Sequence, residues 1–144
     1  MLPAHLTTIA IPVFENETTE YSLEQELTAA GTRRFVEDNH LKVVDERSAS
    51  SVLQGKIVYY NNSVFGIASD AAVAQEYRVT ITVSVVYKDQ IKNREIWSDE
   101  RITKTANYYV TAVPGDSART ELDGRKLADA RIADEILSRT VQSW

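Results

Sequence analysis

The pattern of apolar and polar residues changes between the two halves of the chain. The first half opens on an apolar run, Leu6–Phe14, which predicts a strand with Ile9, Ile11 and Val13 on one face. Pro12 has no N–H to donate to a sheet, so this strand is expected to lie at an edge or to end there.

A polar stretch then leads into the first predicted helix. Ser22, followed by Gln25 three residues later, matches a capping box. Apolar and small residues recur at helical spacing as far as Asn39, namely Leu23, Leu27, Ala30, Gly31 and Phe35. The sequence LKVVD, Leu41–Asp45, predicts a short second strand. A strand, a helix and a strand in this order predict a right-handed crossover with parallel pairing.

The second half alternates with the period of a β-strand. Residues 53–60 predict a strand with Tyr60 on one face, opposite Leu53, Gly55, Ile57 and Tyr59. We expect a long loop at Asn61–Gln75. The clearest strand follows at residues 77–88, where the odd-numbered positions from Tyr77 to Tyr87 form an apolar face, and Thr80, Thr82 and Ser84 lie on the other.

The next run, Glu95–Ala106, carries many charges, as an edge strand does. It predicts Ile96 and Ile102 on one face and Trp97 on the other. The three strands together predict an antiparallel meander with one buried face.

A second helix is predicted over Asp116–Val141, and its regular part is expected from Arg125 onward because Gly124 weakens the first turns. Its predicted apolar stripe is Leu127, Ala130, Ala133, Leu137 and Val141. The predicted fold class is α+β, a mixed and mainly antiparallel sheet with two helices packed on its one apolar face.

Composition narrows the class of function. The 144 residues are 43% hydrophobic and 26% charged, which is typical of one globular domain, so residues 1–144 are treated as a single unit. The net charge of −5 argues against a nucleic-acid partner. The absence of cysteine excludes disulfides and thiolate catalysis within this chain.

The sequence contains no recognised catalytic or cofactor-binding motif. His5 and His40 lack the spacing of metal ligands and are interpreted as surface or strand-end residues. The sequence PGDSAR is interpreted as a helix start, capped by Asp116 or Ser117, rather than as an anion site. Five glutamates near the first helix match no EF-hand spacing: Glu15, Glu17, Glu20, Glu24 and Glu26. We therefore predict no enzymatic activity, no metal and no cofactor.

Aromatic residues gather in and near the meander, including Tyr60, Phe65, Tyr108 and Tyr109. The predicted loop around Phe65 consists mostly of small and apolar residues and has one charge, Asp70. Two interpretations stay open: the loop folds over the end of the sheet, or it becomes ordered against a partner.

Several stretches of the chain form a recognisable series: LPAHLTTIAIPVFENETTEYSLEQELTAAGTRRF with LKVVD, then SVLQGKIVYY, EYRVTITVSVVYKD and REIWSDERITKTANYYV. In their order and spacing, these stretches resemble the LptE family of outer-membrane lipoproteins in lipopolysaccharide assembly. The resemblance extends from Leu2 to about Val141 and is most specific through Phe35 and in the Tyr77 strand.

The resemblance implies two helices on a mixed sheet and a non-enzymatic role. It implies a plug and assembly partner for the LptD β-barrel, and binding of lipopolysaccharide. It also implies a periplasm-facing protein anchored in the outer membrane by an N-terminal lipid, so a signal peptide, a lipobox cysteine and a short tether are expected before this chain. The partner contacts are expected from Tyr60, Phe65, Tyr108 and Tyr109.

Lipid A phosphates favour Lys or Arg as partners, and the predicted loop has neither. Lys56, Arg78 and Lys88 fall by alternation on the face opposite the helices, so they are the candidate lipopolysaccharide-binding residues; ordinary solubility is the alternative.

The stretch IAIPVFENET also resembles periplasmic lipoproteins that activate peptidoglycan synthases or belong to curli-type secretion systems, which is the alternative function.

Overall fold

The computed structural model describes residues 2–67, 74–111 and 120–142. Its helices and strands are β1 (Thr8–Ala10), β2 (Glu15–Asn16), α1 (Leu23–Asp38), β3 (Lys42–Val43), β4 (Ser51–Ile67), β5 (Ala74–Asp89), β6 (Arg94–Thr111) and α2 (Glu121–Leu137). A 3-10 turn, Glu46–Ser48, precedes β4, and a π-helical turn, Ser138–Gln142, follows α2. This arrangement confirms the predicted fold class.

The six strands form one sheet in the order β3-β1-β4-β5-β6, with β2 also paired to β4. β1 lies parallel to both β3 and β4, as the crossover through α1 predicts. β4, β5 and β6 form the predicted antiparallel meander, and β6 is its edge strand.

The predicted strand Leu6–Phe14 is interrupted at Pro12. β1 ends at Ala10 and β2 begins at Glu15, and both pair with the same edge of β4. The ladder breaks where proline has no N–H to contribute. Ile9 is fully buried, but Val13 lies in the break and is exposed, so the prediction that Val13 shares the face of Ile9 is wrong.

The loop predicted at Asn61–Gln75 is largely strand. β4 continues to Ile67, β5 begins at Ala74, and the ladder extends from the Asn61–Thr80 pair to the Ile67–Gln75 pair. Residues 68–73, the remainder of the predicted loop, lie outside the described residues. The stretch pairs as a strand because the neighbouring strand β5 supplies backbone hydrogen-bond partners along its length, independently of the side chains that the stretch carries.

The predicted register of β5 is confirmed. Four side chains on its helix-facing side are fully buried, namely Val79, Ile81, Val83 and Val85, and Tyr77 packs partly buried against them. Thr80, Thr82 and Ser84 lie on the opposite face, which we call the far face of the sheet. A shift of one residue would have exchanged these two sets.

A β-bulge at Val58 reverses the alternation of β4. Ile57 pairs with Val83 and Tyr59 with Thr82, so one extra residue enters the strand between them. Tyr60 therefore packs toward the core and Tyr59 faces outward, which corrects the predicted sides of both tyrosines.

Irregular pairing in β6 has the same effect on Trp97. One register shift between the Val83–Ile102 and Val85–Asp99 pairs places Trp97 opposite Tyr87, on the same face as Ile102. The Trp97 Nε1 donates to Thr140 Oγ1, 3.3 Å away, beyond the end of α2. The prediction that Trp97 lies on the face opposite Ile102 is wrong, because this bulge in β6 interrupts its alternation.

Helix α1 buries Leu23, Leu27, Gly31 and Phe35, a stripe at intervals of four residues, and ends at the predicted Asn39. The predicted capping box is absent, because Ser22 has a left-handed backbone (φ 68°) and its side chain caps nothing. Asn16 holds the entry to the helix instead. Its Nδ2 donates to Glu20 O at 2.7 Å and to Glu24 Oε2 at 2.8 Å.

Helix α2 begins at Glu121 with a capping box between Thr120 and Asp123. Asp116 and Ser117, the predicted caps, lie outside the described residues. The predicted stripe is correct at Ala133 and Leu137, which are buried, and Val141 packs partly buried against the core, but Leu127 and Ala130 are exposed. The buried residues of α2 are Gly124, Ala128, Asp129, Ile132, Ala133, Ile136 and Leu137. Both helices contribute side chains to one hydrophobic core with the sheet.

Candidate functional site

The candidate site is the end of the meander farthest from the β5–β6 turn, which we call the distal end. It consists of residues 63–67 of β4, 74–78 of β5 and 107–111 of β6, which pair side by side. The first turn of α2 lies beside it, because Gly124 packs against Tyr108 and Val79.

The distal end exposes apolar side chains that the core does not use. Phe65 is 50% exposed and Tyr109 is 44% exposed, and Val64 and Val110 are exposed to a similar degree. Phe65 occupies a second bulge in β4, since Val64 pairs with Tyr77 and Gly66 with Glu76. Phe65 and Tyr109 lie on the far face, whereas Val64 and Val110 pair with Tyr77 and Gln75 and so lie on the opposite face. The two exposed aromatic rings on the far face are the candidate interaction surface.

Polar contacts on the far face fix the two aromatic rings. The Arg78 guanidinium lies 3.6 Å from the centre of the Phe65 ring, and Arg78 Nε donates to Asn107 Oδ1 at 2.9 Å. Asn107 Nδ2 donates to Glu76 Oε2 at 2.6 Å, and the Tyr109 hydroxyl donates to the same oxygen at 3.2 Å. This chain of contacts crosses all three strands and holds the rings in place without burying them.

The bond to Glu76 also affects the titration of Tyr109. Because the carboxylate accepts from the phenol and repels a phenolate, it raises the pKa of Tyr109 above its usual value. Tyr109 is therefore a neutral hydrogen-bond donor at physiological pH.

Two of the four predicted partner-binding aromatics are engaged by the core: Tyr108 is buried and Tyr60 is partly buried. Tyr108 is 4% exposed, stacks on Tyr77 with ring centres 5.3 Å apart, and donates to Asn62 Oδ1 at 2.8 Å. Tyr60 packs against the core and its hydroxyl donates to Glu121. Burial, and then this carboxylate, raise the pKa of Tyr60. Phe65 and Tyr109 therefore offer the larger free surface.

The three predicted lipopolysaccharide-binding residues do not form one cluster. Lys56 pairs with Ser84 in the ladder, so it lies roughly 20 Å along the sheet from Arg78 and about 13 Å from Lys88. Lys56 Nζ lies 3.7 Å from Glu17 and 4.0 Å from Glu15, whose charges offset its own. Arg78 alone is part of the distal end.

Glu76 and Asn107 are site residues that the sequence analysis missed. Their role comes from the register, which places Glu76 opposite Tyr109 and Asn107 opposite Arg78. The alternation of β5, extended back to Glu76, puts this residue on the same face as Arg78. Its partners Asn107 and Tyr109 were missed because the third strand of the meander was predicted to end at Ala106.

The two histidines occupy different environments. His5, before β1, lies 2.5 Å from Asp89 Oδ2 at the end of β5, whereas His40 is exposed beside Asp38. Burial of Asp89 favours its neutral form. The hydrogen bonds from His5 and from the N–H groups of Ile91 and Lys92 outweigh that effect and lower the pKa of Asp89.

Within residues 2–67, 74–111 and 120–142, no helix has the length and apolarity needed to cross a bilayer. No three His, Asp or Glu side chains of this part of the chain are grouped so as to hold a metal ion.

The family model for LptE, lipopolysaccharide assembly, matches residues 6–142. The chain belongs to the LptE family. This is a family of non-enzymatic lipoproteins, and membership supports an LptE-like lipoprotein. The comparison with curated proteins found no match.

Solved structures share the fold of this LptE-family chain at low sequence identity. Rare lipoprotein B from Shewanella oneidensis is 18% identical, with a TM-score of 0.52 over 95% of this chain and 96% of that one. The hypothetical protein CT253 from Chlamydia trachomatis is 13% identical, with a TM-score of 0.59 over 93% and 95%. Lipoprotein GNA1162 from Neisseria meningitidis is 12% identical, with a TM-score of 0.52 over 92% and 99%.

Proposed function

We propose that this protein is the plug and assembly partner of an LptD-like β-barrel in lipopolysaccharide transport and insertion into the outer membrane. It acts without catalysis, on the periplasm-facing side, anchored by an N-terminal lipid that precedes this chain. Membership of the LptE family supports the pathway. The exposed apolar distal end of the sheet supports a role in binding a protein partner.

The distal end suits such a role because its aromatic rings are exposed but held in position. Phe65 and Tyr109 are fixed by Arg78 and Glu76, so little side-chain freedom is lost when a partner covers them. Large, preordered aromatic side chains are the residues that dominate binding energy in protein interfaces.

Among the three basic candidates, we propose Arg78 as the residue that contributes most to lipopolysaccharide binding. The Arg78 guanidinium lies beside the exposed ring of Phe65. Lipopolysaccharide is an amphiphile with both phosphates and acyl chains, so the cation suits its phosphates and the ring suits its acyl chains. Lys88 adds long-range attraction along the far face, whereas the charge of Lys56 is offset by Glu15 and Glu17.

Alanine substitution at Phe65 and Tyr109, in the lipidated protein expressed in cells, tests the proposal. Each variant is expected to weaken co-purification with the LptD-like barrel by about thirtyfold, the effect of removing an interface hot spot. Outer-membrane permeability to large antibiotics should rise. The melting temperature of the free domain should change by no more than about 3 °C, since neither ring is buried.

Tyr21→Ala is the matched control, because Tyr21 is an exposed tyrosine just before α1, outside the distal end. It should leave barrel binding unchanged. Full barrel binding by both distal variants would refute the assignment of the surface. Unfolding of the free domain by either variant would show that these rings belong to the core.

A further inference from the structure

A group of charged side chains lies between the two helices, away from the distal end. Arg125 of α2 is paired with Glu20, whose Oε1 is 2.9 Å from the Arg125 Nη1, and with Glu26 of α1. Asp129 lies one helical turn beyond Arg125 and is 2% exposed. An acid is thus buried where the two helices meet.

This group is incompletely hydrogen-bonded. Among the described residues, three buried polar atoms have no hydrogen-bond partner: Asp129 Oδ1, Glu26 Oε1 and Arg125 Nε. Arg125 is already engaged by two glutamates, so it does not pair with Asp129 as well. A buried carboxylate with an open oxygen is costly as an anion and much less costly as a neutral acid.

The charged neighbours of Asp129 also favour its neutral form. Glu26 on α1 is negative and disfavours a second anion, while Arg125 on α2 offsets only part of that repulsion. Glu20, in the loop before α1, also pairs with Arg125 and further offsets its positive charge. Tyr60 on β4 contributes a neutral phenol, which is hydrogen-bonded to Glu121.

We propose that Asp129 is a proton-binding site between α1 and α2, neutral in the folded protein at slightly acidic pH, and that loss of its proton weakens the contact between the helices. This inference is independent of the proposed function.

The titration of Asp129 agrees with this geometry. Burial first, and the charge of Glu26 second, raise the pKa of Asp129 to about 7. An aspartate in an unfolded chain has a pKa of about 3.9, so the folded state holds the proton more tightly. The stability contributed by this proton is fully present below about pH 4 and is lost as the pH rises to about 7.

Denaturant unfolding of the protein at a series of pH values between 5 and 8 tests the proposal. Asp129 alone makes the unfolding equilibrium constant rise almost tenfold per pH unit between about pH 5 and 6, and the rise levels off above neutrality. Asp129→Asn, which mimics the neutral acid, should remove this component. Asp134→Asn, an exposed acid on the same helix, should keep it.

A carbon-13 NMR titration of the Asp129 carboxyl group in the unmodified protein decides the matter even if Asp129→Asn fails to fold. A midpoint near pH 7 is expected. A midpoint below pH 5, or the same pH dependence of unfolding in the wild type and in Asp129→Asn, would overturn the proposal.

Discussion

At the scale of single residues, the two helical glycines illustrate how packing decides the role of a residue type. Both Gly31 and Gly124 are buried, and both reduce helix propensity relative to alanine. A Cβ at Gly124 would lie 2.8 Å from Tyr108 Cδ1 and 3.2 Å from Val79 Cγ2, whereas a Cβ at Gly31 meets nothing within 4 Å. Gly124 therefore permits close approach of α2 to the sheet.

We predict opposite effects for alanine at these two positions. Gly31→Ala should stabilise the protein by about 0.5–1 kcal/mol, through reduced freedom of the unfolded chain. Gly124→Ala should destabilise it by about 1–2 kcal/mol, because the clash with the Tyr108 ring exceeds the gain in helix propensity. Chemical denaturation of the two variants side by side measures both, and stabilisation by Gly124→Ala would show that Tyr108 can move aside.

At the scale of helices and strands, the sequence predicted regular periods well and irregularities poorly. Six alternating residues fixed the faces of β5, and its register is confirmed. The bulge at Val58 was not predictable, because one extra residue in a strand leaves no mark in composition. It exchanges the sides of Tyr59 and Tyr60, and thereby decides which tyrosine reaches Glu121.

Helix α2 shows that helical periodicity alone does not determine which face of a helix is buried. The predicted stripe was correct in its second half, at Ala133 and Leu137, but it began at Leu127, which is exposed. The first turns are instead buried along the row from Gly124 through Ala128 to Ile132. That row is chosen by the close contact of Gly124 with β6, a tertiary constraint that helical periodicity alone does not contain.

The register of β5 yields a quantitative prediction. Ile81→Ala should lower the free energy of unfolding by about 2–5 kcal/mol, since Ile81 is fully buried beneath the helices. Thr82→Ala, at the adjacent position on the far face, loses only the bond to the Thr103 hydroxyl and should cost about 1 kcal/mol. Equal losses, measured by denaturation, would contradict the assigned faces.

At the scale of the whole molecule, stability and interaction are assigned to different parts of the sheet. The core lies between the helices and the inner face of the meander, and the His5–Asp89 contact ties the start of the chain to the end of β5. The distal end carries the exposed aromatic rings. The sequence identified Phe65 and Tyr109 as candidates, but only the paired strands show that Glu76, Arg78 and Asn107 hold them.

The most direct test of the central claim is site-specific photocrosslinking in cells. A photoreactive phenylalanine derivative is placed at Phe65 or Tyr109 of the lipidated protein, and at Ile91 as a control, an exposed apolar residue in the turn at the opposite end of the meander. We predict that the two distal positions crosslink to an LptD-like barrel and that Ile91 does not. Crosslinking to the barrel from Ile91 alone, or from none of the three positions, would contradict the proposed function of the distal end.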